Sequence, residues 1–176
     1  MPWIQIVPPE VATGQLRTTY DTILGEVGHV PNILQAFSLK PESLVALMKL
    51  RETVAAGRSS LGRRKEELIN TAVSQMNQCD HCTRAHGAVL RRLAGRVADQ
   101  VTTDWHTAEL SADERIMLEF CEKMTLFRST LERGDTEKLR GSGFSDYQIL
   151  EIVLITAYRH FMNIVADTLG VDDEPP

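Results

Sequence analysis

Two thiols, two imidazoles and a carboxylate lie close together between Glu67 and His86. Cys79 and Cys82 are three residues apart with His81 between them; His86 follows four residues beyond Cys82, and Glu67 stands twelve before Cys79. Thiols, imidazoles and a carboxylate are the groups that redox and proton-transfer sites use. A Cys-x-x-Cys pair closes a disulfide with little backbone movement. One thiolate can therefore attack an electrophile such as a peroxide oxygen, pass through a sulfenic acid and condense with its neighbour, and an external reductant then restores the pair. The same side chains could instead ligate zinc, with Cys79, Cys82 and His86 joined by His81 or Glu67. A structural zinc usually draws on a second knuckle, and the sequence has none, so no metal is expected.

The elements that carry these residues must satisfy a distance condition. On one straight helix Glu67 and Cys79 would be roughly 18 Å apart and could not cooperate. The polar segment Asn77-Gln78-Cys79-Asp80 offers a break. If the chain turns back there, Cys79, Cys82 and His86, spaced by three and four, line one edge of the second helix. His81 then points elsewhere, unless it belongs to an irregular first turn. A helix start also favours thiolate over thiol, and on that ground alone Cys79 is the more acidic of the two.

Around this window the apolar spacing reads as helix throughout. Pro2, Pro8 and Pro9 make residues 1–9 an extended arm. Helices are expected from Glu10 to Val27, Pro31 to Phe37, Pro41 to about Ala56 with Gly57 beyond it, about Leu61–Arg63 to Asn77, and then on to Gly95. Val97–Val101 is a short helix, with Thr102–His106 as a connection. Capping boxes at Ser111/Glu114 and Ser145/Gln148 open two longer helices. Arg128–Thr136 reads as a polar connection to a short helix ending at Gly141. Gly170 stops the last long helix, and 172–176 is a frayed tail. Ile149–Ile155 is β-branched enough to suggest a strand, but the capping box favours helix. The sum is an all-α single domain over residues 1–176, with about eight or nine helices and the redox motif at a helix start.

The 176 residues suit one core, with 43% hydrophobic and 24% charged residues. A net charge of −5 disfavours nucleic acid as a partner. No apolar run is expected to span a membrane, and the N-terminus lacks the basic start and apolar stretch of a signal peptide. A cytoplasmic location follows. Three cysteines are too few for a disulfide framework. Cys121 reads as a core thiol, Glu66 as a solvated helix residue, and Trp3 and Trp105 as packing anchors. His29, His106 and His160 have no evident partners.

The pattern Glu67-x11-Cys79-x-His81-Cys82-x3-His86 resembles the core motif of the alkyl hydroperoxidase D-like proteins, in the carboxymuconolactone decarboxylase superfamily. Val30-Pro31-Asn32, Lys40-Pro41-Glu42, Leu110–Arg115, Gly143-Phe144-Ser145-Asp146, Ala157-Tyr158, Asn163 and Val165-Ala166-Asp167 resemble stretches of its peroxidase-related branch. The resemblance implies a helical fold forming homo-oligomers, trimers or hexamers, and thiol-dependent hydroperoxide reduction without haem or flavin. It implies Cys82 as the attacking thiol, Cys79 as the resolving one, and Glu67, His81 and His86 as a proton relay. The reductant would be a lipoylated or thioredoxin-like protein. The chain departs from the pattern at Arg159-His160, where many relatives carry Phe-Asn, and at Ile164, where many carry Arg. Decarboxylation of a lactone acid, as in the superfamily's namesake, and a non-enzymatic redox-sensing oligomer are the alternatives.

Overall fold

The computed structural model describes residues 2–54 and 58–174. Among them are nine α-helices and no strand: α1 (Gly14–Val27), α2 (Asn32–Gln35), α3 (Pro41–Val54), α4 (Arg63–Met76), α5 (Asp80–Ala94), α6 (Arg96–Asp104), α7 (Ala112–Leu126), α8 (Arg133–Gly141) and α9 (Asp146–Leu169). The fold is all-α and single-domain, as the periodicity implies. The expected end of the third helix at Ala56–Gly57 lies outside the described residues.

α4 is the central element. Every residue from Glu66 to Ser74 is buried, and the helix packs against α5, α6, α7 and α9. Leu68, Ile69, Ala72 and Val73 join Leu90 of α5, Val101 of α6, Met117 and Leu118 of α7, and Ile152 and Ile155 of α9 in the main core. A second cluster joins α1, α2 and α3 to Tyr158 and Met162 of α9. A third, small cluster holds both cysteines with Ala36, Ala166 and Val171. α9 thus touches all three clusters. Both capping boxes form, and Gly28 and Gly170 close α1 and α9 in the left-handed region.

Several boundaries differ from expectation. α1 starts at Gly14, because Pro9–Val11 forms a 3-10 turn and Thr13 is extended. α6 continues through Thr102–Asp104. Arg133–Thr136 is already α8, opened by a capping box between Glu132 and Asp135. The tail is not frayed as far as Glu174. Arg84 binds the Asp173 carboxylate at 2.8 Å, and the Asn32 backbone N–H donates to Glu174 at 2.7 Å. The arm is tied as well, with the Trp3 N–H donating to the Leu169 carbonyl and its ring lying where a Cβ on Gly170 would clash. α9 is, by length and composition, apolar enough to cross a membrane, contrary to the expectation that no run reaches that length. Half of its most apolar window is buried inside the protein, which fits a core helix.

The reversal between α4 and α5 is a Schellman motif. The Gln78 N–H donates to the Gln75 carbonyl and the Cys79 N–H to the Ser74 carbonyl, both at 3.0 Å. Gln78 holds φ 59°, a left-handed conformation that costs a side-chain-bearing residue about 1–2 kcal/mol. Cys79 ends this motif and is also the N-cap of α5. A β-branched residue tolerates that conformation least. Gln78→Val is therefore expected to lower stability by about 1 kcal/mol or more, measured by urea denaturation.

Candidate active site

The reversal brings Glu67 on α4 against His86 on α5. Both are held by packing: Glu67 is buried, and Gly87 beside His86 lets α5 approach α6, where a Cβ would lie 2.6 Å from Thr102. His86 Nδ1 is 2.7 Å from Glu67 Oε2, and Arg63 reaches Glu67 Oε1 at 2.9 Å. Burial would raise the Glu67 pKa, but the His86 hydrogen bond and the charges of Arg63 and Arg159 outweigh it and hold the group below the ordinary carboxylate range. Burial, joined by the charge of Arg159, brings His86 down to about 4 against the pull of Glu67. A neutral imidazole beside a carboxylate must donate from Nδ1, so Nε2 is left as a base.

Cys79 and Cys82 are both free thiols and both buried. Their environments differ. The Cys82 pKa falls to about 6. The hydrogen bond from Cys79 is the main cause, and Arg159, Asn163 and His81 add to it against the cost of burial. Cys79 is pushed up, first by that same hydrogen bond, then by burial and by the Asp167 carboxylate. This reverses the helix-start expectation that Cys79 is the more acidic thiol. The cause lies on α9, which supplies Arg159 and Asn163 to one sulfur and Asp167 to the other.

His81 is buried in the first turn of α5. Its Nδ1 is 3.6 Å from Asp173, beyond hydrogen-bond distance, and has no hydrogen-bond partner among the described residues. Glu67, Cys79, His81, Cys82 and His86 therefore share one region, but as two groups. Glu67 and His86 form a hydrogen-bonded pair, while the Cys82 thiol is held by Cys79 and Asn163. Among the described residues no cluster of three His, Cys, Asp or Glu side chains has the geometry to hold a metal ion.

Sequence reasoning gave no site role to the polar network joining α4 to α9. Arg159 Nε donates to Asn70 Oδ1 at 3.1 Å, Ser74 Oγ to the Asn70 carbonyl at 2.7 Å, Asn163 Nδ2 to Ser74 Oγ at 3.2 Å and Asn77 Nδ2 to Asn163 Oδ1 at 2.8 Å. The signal was present: Asn70 and Ser74, like Arg159 and Asn163, are four apart and so share a helix face. His160 also has partners, Asn77 and Thr125, and His106 lies between Asp104 and Glu122. His29 is 3.7 Å from Glu174. Glu66 is buried beside Arg63 and is not a solvated residue. Cys121 is a core thiol that accepts from Thr156, its pKa pushed up to about 12 by burial.

A cavity of about 160 Å³ opens beside Glu67, His86 and Arg159, with walls from α1, α2, α3 and α9. A surface cleft of about 470 Å³ lies on the His81 and Asp167 side. Two larger clefts, of about 760 and 770 Å³, border α1 and contain none of the site residues.

An all-α fold with a free Cys-x-x-Cys at a helix start and a buried Glu–His pair one turn of chain away defines a helical dithiol protein. Residues 41–117 match the carboxymuconolactone decarboxylase family. The fold is that of a peroxidase-related protein with an alkylhydroperoxidase AhpD core from Ralstonia eutropha JMP134. The two share 27% identity and a TM-score of 0.89, over 98% of this chain and 92% of that one. A peroxidase-related protein from Silicibacter sp. TM1040 gives 28% and 0.90 over the same shares. The uncharacterized protein YdfG of Bacillus subtilis is 25% identical over 137 residues, 76% of this chain and 91% of its own length. The carboxymuconolactone decarboxylase match thus covers the segment from α3 to α7, and the chain as a whole has the fold of the AhpD-core peroxidase-related proteins.

A thiol ionises as pH rises through its pKa, so alkylation of Cys82 by iodoacetamide should climb with pH and reach half its plateau near pH 6. Cys79→Ala removes the main hydrogen bond to that thiolate. It should move the midpoint up by about one unit or more, measured by mass spectrometry of the alkylated peptide.

Proposed function

We propose that the protein is a thiol-dependent hydroperoxide reductase. The observation that carries this reading is the unlike surroundings of the two thiols: Cys82 lies against the Cys79 thiol, Asn163 and the Arg159 charge, which lower its pKa, and Cys79 lies against the Asp167 carboxylate, which raises its own. The Cys82 thiolate attacks the terminal peroxide oxygen. The O–O bond breaks, Cys82 becomes a sulfenic acid, and the alkoxide takes up a proton to leave as an alcohol. His86 Nε2, a base because its Nδ1–H is committed to Glu67, takes the Cys82 thiol proton as the thiolate forms and returns it to that alkoxide. Cys79 then attacks the Cys82 sulfur, the S–O bond breaks, water leaves and the disulfide closes. Thiol–disulfide exchange with an external dithiol, on a lipoylated or thioredoxin-like protein, returns both cysteines to thiols. His81 lines the surface cleft and helps to lower the Cys82 pKa.

Cys82→Ser should abolish peroxide-dependent consumption of a dithiol such as dihydrolipoamide, whereas His86→Gln should slow it by about 10²-fold or more. Full turnover by the Cys82→Ser protein would sink the assignment. Oxidation of the pair without turnover by any dithiol would make the protein a redox switch.

The homo-oligomer reading is supported by one face of α9. Tyr147, Leu150, Leu154, Ala157, Phe161 and Ile164 are all exposed and alternate by three and four, the spacing of a helix-pairing seam. A second copy of the chain would cover them. The double variant Leu154→Glu with Ile164→Glu should then sediment as a monomer while the wild type sediments as an oligomer. Identical sedimentation of the two proteins would exclude this seam.

A further inference from the structure

Among the described residues Arg159 carries a buried charge with no directly paired carboxylate, although Glu67 and the Cys82 sulfur lie near enough to feel it. The residue is 5% exposed. Its Nε donates to Asn70 and its guanidinium carbon lies 6.0 Å from the Tyr158 ring. Its terminal nitrogens have no hydrogen-bond partner, and no carboxylate lies within ion-pair distance, among the described residues. A buried charge is costly unless it is paired. The nearby carboxylates are already engaged. Glu67 takes His86 and Arg63, and Glu26 takes Arg51 at 3.5 Å. Three guanidiniums, Arg51, Arg63 and Arg159, thus line the cavity against two carboxylates.

The rest of that lining is mostly apolar, including Ile23, Ile33, Leu34, Met48 and Met162. The volume of about 160 Å³ would hold roughly five waters at about 30 Å³ each. A neutral ligand of that size would leave the Arg159 fork unsatisfied, whereas a carboxylate matches it with two parallel hydrogen bonds.

We propose that this cavity binds a small organic acid, with its carboxylate on the terminal nitrogens of Arg159 and its short apolar chain against Ile33, Leu34 and Met162. The hydroperoxide that the protein reduces then carries such a carboxylate, a clause that rests on the peroxidase reading; the binding site itself does not.

Binding of hexanoate and of hexanol, followed by calorimetry on the wild-type protein, separates charge recognition from apolar fit. Hexanoate should bind at least about tenfold more tightly than hexanol. Arg159→Leu should remove that advantage and leave hexanol binding as it was. Equal affinities for the two probes in the wild type, or no saturable hexanoate binding, would overturn the proposal, and this comparison stands even if Arg159→Leu fails to fold. For the substrate clause, 6-hydroperoxyhexanoate should show a KM at least about tenfold below that of its methyl ester. Equal KM values would remove the acid from the substrate while leaving the peroxidase intact. Hexanoate binding with no turnover of either hydroperoxide would keep the acid site and remove the peroxidase.

Discussion

The site depends on one backbone constraint, the left-handed residue at Gln78. Without it α4 and α5 would continue as one rod, with Glu67 and Cys79 roughly 18 Å apart. With it, the Schellman bonds from Gln78 and Cys79 close α4 and start α5 within one residue. That residue is Cys79. The same turn therefore satisfies the end of α4, caps α5 and places one thiol of the pair. The helix then runs back along α4 until His86 meets Glu67 at 2.7 Å.

The second constraint is the polar stripe on an otherwise apolar helix. α9 is hydrophobic enough to resemble a membrane span, yet Arg159 and Asn163 are buried on the face that meets α4. Buried polar groups are costly unless hydrogen-bonded, and these are bonded to Asn70 and Ser74 of α4. The network fixes the register of the two helices and holds Asn163 against the Cys82 sulfur, with the Arg159 charge near it. Asp167, one further turn along, meets the Cys79 thiol. The difference between two cysteines three residues apart thus comes from a helix distant in sequence. Local helix-start physics acts on both thiols and predicts the opposite order.

This explains which features could be read in advance. The helices, the capping boxes and the glycine stops are local patterns, and the spacing of Glu67, the cysteines and His86 implied a break between Asn77 and Asp80. The break's mechanism was less visible, because Gln is an uncommon residue in the left-handed region. Threonines at 102 and 103 have weak helix propensity, yet α6 runs on through them, since Val101 and Trp105 are anchored in the core. Glu66 reads from sequence as a solvated helix residue, yet α4 is covered on nearly every side. The tail, Arg159 and His106 depend on partners across the chain, such as Arg84 for Asp173 and Glu122 for His106. Composition and periodicity carry no information about such pairs. Family resemblance marked Arg159 as a departure but not as the charge beside the cavity.

In the proposed reaction Cys82 attacks and Cys79 resolves. A single-turnover reaction of the reduced protein with one equivalent of a hydroperoxide, quenched and mapped by peptide mass spectrometry, tests it most directly. The wild type should form one Cys79–Cys82 disulfide per peroxide consumed. Cys79→Ala should stop at a sulfenic acid on Cys82, trapped by dimedone. A sulfenic acid trapped on Cys79 in Cys82→Ala, formed as fast as the wild-type disulfide, would contradict it.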